Sequence, residues 1–112
     1  MGADAFHVCY GLRWEFDATD KAVVDLLERR SDPRQLAARL HRLDLWWGTT
    51  SEDGIGFLLV GKLVGRFGWE GERSAQLDDP KAARLADEVR LRLRAAGFTD
   101  EPAWLFQFEP DP

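Results

Sequence analysis

Residues 6–16, FHVCYGLRWEF, alternate without a break. Phe6, Val8, Tyr10, Leu12, Trp14 and Phe16 are large and apolar, and His7, Cys9, Gly11, Arg13 and Glu15 stand between them. Side chains on an extended chain point to opposite faces in turn, so a period of two means a strand with one buried face. The same residues on a helix would scatter around its circumference and bury nothing. The chain must therefore build a sheet with a strongly apolar side around this segment. The second side gathers a histidine, the one cysteine, a guanidinium and a carboxylate.

The pattern changes after Phe16. Asp17 and Thr19 are candidate N-caps for a helix with Asp20 in its first turn, carrying Val23, Leu26 and Leu27 and ending at Glu28-Arg29-Arg30. Ser31-Asp32-Pro33 restarts a helix, a cap followed by proline at the first helical position, with Leu36, Leu40 and Leu43 at helical spacing. A strand over 45–50 follows, then a turn at Ser51-Glu52-Asp53-Gly54 and a strand over 55–60. Gly61-Lys62 reads as a second two-residue turn, returning into a strand over 63–69. Asp79-Pro80 opens a helix with Ala82, Ala86, Val89 and Leu93 on one face, closed at Gly97-Phe98 in the manner of a Schellman ending. Trp104, Phe106 and Phe108 alternate in a last strand.

The order β-α-α-β-β-β-α-β predicts one α+β domain over 1–112. Its expected form is a mostly antiparallel five-stranded sheet with helices packed on one face, a ferredoxin-like sandwich with an extra strand. With a turn at Gly61-Lys62, Val60 lies opposite Leu63. Leu58, Val60, Leu63, Phe67 and Trp69 then share the helix-covered face, and Ile55, Phe57, Leu59, Val64 and Arg66 share the open one. His7, Cys9, Arg13, Glu15, one of Trp46 and Trp47, and Leu105, Gln107 and Glu109 join the open face. An apolar centre bordered by charge is a recognition pattern. The candidate binding residues are His7, Arg13, Glu15, Phe57, Leu59 and Arg66.

Composition narrows the function. A formal charge of -5 from 15 Lys and Arg against 20 Asp and Glu disfavours nonspecific binding to nucleic acid or anionic membranes. One cysteine permits no internal disulfide and no cysteine-rich zinc framework. His7 and Cys9 are too few to hold a metal, and Cys9 has no orienting base. No metal, cofactor or catalytic residue is expected. Arginines gather in two groups, Arg29, Arg30, Arg34, Arg39 and Arg42 around the first two helices and Arg84, Arg90, Arg92 and Arg94 on the last, where Asp87 and Glu88 are spaced to pair with them. MGADAF lacks a leader's basic and apolar regions, and no apolar run is long enough to span a bilayer, which predicts a cytoplasmic chain. The expectation is a small non-catalytic interaction domain, forming a homodimer or binding a protein partner through the open face. The alternative is a small-molecule or anion-binding domain, or a small enzyme, using His7, Arg13, Glu15 and Arg66.

Overall fold

The computed structural model describes residues 4–50, 54–68 and 71–110. The alternating segment forms strand β1 (Ala5–Asp17). Helix α1 (Lys21–Glu28) follows, with the Asp20 carboxylate accepting from the Ala22 and Val23 N–H groups as its N-cap. Asp17 and Thr19, the expected caps, instead bond to each other in the turn before it. Helix α2 (Pro33–Leu40) starts as its sequence predicts, Asp32 capping and Gln35 reaching back to the Asp32 N–H. Strands β2 (Asp44–Thr50) and β3 (Ile55–Gly68) pair as a hairpin. Its turn residues 51–53 and the predicted strand position Trp69 lie outside the described residues. Helix α3 (Asp79–Ala95) is capped by Asp78, one residue earlier than expected, and Phe98 N–H bonds back to the Leu93 carbonyl past Gly97, which has φ 94°. Strand β4 (Ala103–Glu109) comes last.

The four strands form one antiparallel sheet in the order β2-β3-β1-β4. Each helical connection passes over one intervening strand, from β1 to β2 across β3 and from β3 to β4 across β1, a split β-α-β pattern. The fold is α+β with an antiparallel sheet, but the expected fifth strand is corrected. Gly61-Lys62 does not turn, and residues 55–68 run as one strand. Gly61 lies opposite Gly11 of β1, and a Cβ on either would collide with the other strand's backbone. The glycine serves a close approach of two strands, a need that produces the same sequence signal as a turn.

The apolar face of the sheet carries Tyr10, Leu12, Leu58 and Val60, packed beneath Leu27, Ala38, Val89 and Leu93 of the helices. Trp47 joins this core and Trp46 lies on the reverse face. Leu63, expected beside Val60, packs on the reverse face with Cys9, Phe57 and Leu59, because a continuous strand preserves its alternation. A bulge then intervenes. Val8 pairs with Gly65 and Cys9 with Leu63, leaving Val64 as the additional residue and returning Arg66 to the reverse face opposite His7. On α2 the buried residues are Gln35 and Ala38, and Leu36 and Leu40 face solvent. No helix among the described residues is long and apolar enough to cross a membrane.

Candidate functional site

The reverse face of the sheet brings His7, Arg13, Glu15, Phe57, Leu59 and Arg66 together as cross-strand partners: His7 with Arg66, Arg13 with Leu59, and Glu15 with Phe57. Yet this face is not open. The sheet coils until its edge strands β2 and β4 approach across it. Trp46 Nε1 donates to Glu109 Oε1 at 3.1 Å, and a Cβ on Gly48 would strike the same carboxylate. His7, Cys9, Phe57 and Leu59 are enclosed within the curl, none more than 1% exposed. The expected apolar recognition patch is therefore an internal second core, and Phe57 and Leu59 offer no surface to a partner in this fold.

His7 Nε2 lies 2.8 Å from Glu109 Oε1, and its ring packs against Trp46 and Phe57. Its Nδ1 is buried without a hydrogen-bond partner. Burial would raise the Glu109 pKa, but hydrogen bonds from His7 and Trp46 and the charges of His7 and Arg66 more than offset it and hold the carboxyl below its ordinary value. Burial, with Asp44 nearby, pushes the Cys9 thiol up to about 12, which removes its nucleophilic form at neutral pH. Among the described residues, no three His, Cys, Asp or Glu side chains are grouped to hold a metal ion.

The charged rim is divided among separate contacts. Arg13 donates to Gln107 Oε1 at 2.6 Å and to Glu15 at 2.9 Å. The Arg66 guanidinium lies over the Trp46 ring at 5.2 Å. The two guanidiniums, candidates for a shared anion fork, thus have different partners and stand at different levels of the β1–β3 pair, Arg66 opposite His7 and Arg13 opposite Leu59.

An exposed apolar surface lies elsewhere, on the helix side of β1 and β4. Phe6 pairs with Phe108 and Tyr10 with Trp104, while Phe106 lies between them opposite Val8. Phe6, Trp104, Phe106 and Phe108 are 39%, 36%, 65% and 47% exposed, in all roughly 400 Å² at about 200 Å² per aromatic side chain. Alternation in the sequence places these rings on the helix-side face, but the helix layer does not extend over them. Strand β1, with 13 residues, spans at most about 40 Å, whereas α3, with 17, spans about 24 Å. At the other end Arg34 of α2 lies over Trp14, and Gln35 and Arg39 of α2 line a pocket with Trp47. The mismatch of lengths was the available signal, and it required knowing that β3 is unbroken.

Strand β4 is also an edge, its backbone paired among the described residues with β1 alone. Edge strands are commonly guarded by lysine, proline, a bulge or an inward charge. The sequence AWLFQFE has no lysine or proline, and its one inward charge, Glu109, stands at the last position of the strand, so residues 103–108 carry no such guard. The opposite edge, β2, runs beside α2. Comparison with family models, curated proteins and solved structures finds no match for the chain.

Proposed function

We propose that this chain is a non-catalytic interaction domain that self-associates, a second copy pairing antiparallel with the outer edge of β4. The observation that carries the reading is the coincidence of an edge strand whose residues 103–108 carry no charge with an exposed aromatic patch on one face, Trp104, Phe106 and Phe108 of β4 beside Phe6 of β1. A two-fold axis beside β4 sets the strand against its own copy and brings both aromatic patches to the same side of an extended sheet. Backbone hydrogen bonds fix the register, and the rings supply the apolar contact. A partner of the same chain needs no complementary sequence, because an antiparallel strand is complementary to itself.

The alternative, a small enzyme or anion site at His7, Arg13, Glu15 and Arg66, has less support. Its one candidate base is sealed from solvent and its guanidiniums are separately engaged. The test is solution mass by light scattering at micromolar concentration. The wild type should be a dimer, and Phe106→Lys with Phe108→Lys should be a folded monomer. A wild-type monomer, or a double variant that keeps the dimer mass, would refute the reading.

A further inference from the structure

Sequence places the arginines in two separate groups, and the fold brings members of both to one groove. Between α3 and the connection from α2 to β2 lies a groove of about 380 Å³. Its charged lining is Arg42, Lys62, Lys81, Arg84 and Arg92, with Glu88 the one carboxylate. Leu43, Leu85 and Val89 form an apolar floor. In a chain with net charge -5, five cations around one small volume run against the overall balance and against their own mutual repulsion.

We propose that this groove binds a small anion carrying two phosphate groups. Local pairing leaves the cations unequally engaged. Arg92 bonds to Glu88 and donates to the Arg42 carbonyl, which fixes it in the wall. Lys62 and Lys81 stand 3.5 and 3.9 Å from Asp44 and Asp78, looser than hydrogen bonds. Among the described residues, the Arg42 and Arg84 guanidiniums have no ion-pair partner. Each is a planar fork matched to one phosphate, and two free forks match two. The volume lies at the small end of ligand pockets, which suits a compact diphosphate rather than a large cofactor.

The backbone fixes where Arg42 stands. Arg42 has φ 58°, the left-handed region that glycine occupies without strain. It sits after the last turn of α2, where Leu43 N–H returns to the Ala38 carbonyl and a glycine is the ordinary choice. Arg30 ends α1 in the same way with φ 59° and lies outside the groove, so this conformation places the Arg42 side chain beside α3 and is not itself a mark of a ligand.

The test is titration calorimetry with pyrophosphate and with inorganic phosphate at low ionic strength. Pyrophosphate should bind one to one, more tightly than phosphate, and weaken with added salt. Arg42→Gly should weaken it roughly tenfold or more while leaving the melting temperature unchanged or raised. Arg84→Gln, on the helix, gives an independent reading should the first variant unfold. Lys21→Ala, a cation on α1 away from the groove, should bind like the wild type. Three outcomes would overturn the proposal. These are no heat of binding by the folded protein, equal weakening by Lys21→Ala, and binding of a short RNA or DNA duplex that pyrophosphate does not displace.

Discussion

Glu109 joins three strands through one oxygen. Its Oε1 meets His7 of β1 and Trp46 of β2, so a carboxylate near the end of β4 draws both across the curled face. The donors favour the charged form, and its pKa is held below the ordinary 4.5. A carboxyl whose folded pKa is depressed stabilises the fold above its unfolded pKa, and that contribution is lost as pH falls through the folded value. Glu109→Gln should therefore cost about 2 kcal/mol at pH 7, the scale of hydrogen bonds to a charged group. The difference between wild type and variant should shrink below pH 4.5. Urea unfolding of both proteins across that range checks this. A gap that stays constant on acidification would mean that the Glu109 charge contributes nothing and that the side chain acts by shape alone.

At the scale of elements, local signals place each helix to within a few residues, with Asp20 and Asp78 capping where Asp17 or Thr19 and Asp79 are expected, and the signals that depend on a neighbouring strand mislead. Asp32-Pro33 and Gly97-Phe98 mark helix ends because caps act within one turn of chain. Gly61 reads as a turn because its cause lies in Gly11, fifty residues away in sequence and adjacent in the sheet. A turn and a close approach both require the absence of a Cβ, and one sequence cannot separate them. Arg66 nevertheless lies on the face expected of it, opposite His7, since a two-residue turn and a one-residue bulge shift the alternation alike. Leu36 and Leu40 were equally ambiguous. They show helical spacing, but Gln35 is the residue that turns inward, donating to the Leu27 carbonyl and so tying α2 to α1. If the Gly11–Gly61 contact is what keeps β3 unbroken, Gly61→Ala must push two strands apart. It should cost about 3 kcal/mol, the upper range for overpacking, and Lys62→Ala beside it should cost under 1 kcal/mol. Equal, small losses at both positions in denaturant titrations would show that the strands tolerate the added methyl.

For the whole molecule, the governing fact is that the sheet is longer than its helix layer. The chain solves this differently on its two faces. On one, the sheet coils and buries His7, Cys9, Phe57 and Leu59 against itself. Coiling depends on twist accumulated over all four strands, so no local pattern announced that these candidate site residues would be enclosed. On the other face the helices end and Phe6, Trp104, Phe106 and Phe108 remain in solvent. Exposed aromatic surface of several hundred Å² beside an unpaired edge is the condition under which pairing with a second copy gains most. If the copy completes the fold in this way, association and stability are linked, because whatever binds only the folded state shifts unfolding by mass action. The melting temperature of the wild type should then rise with protein concentration, by a few degrees over a hundredfold range. That of Phe106→Lys with Phe108→Lys should stay constant over the same range. Scanning calorimetry of both proteins distinguishes the cases. A wild-type melting temperature independent of concentration, with the double variant melting at the same temperature, would mean that the aromatic patch stays in water and that β4 is an edge the chain leaves unguarded.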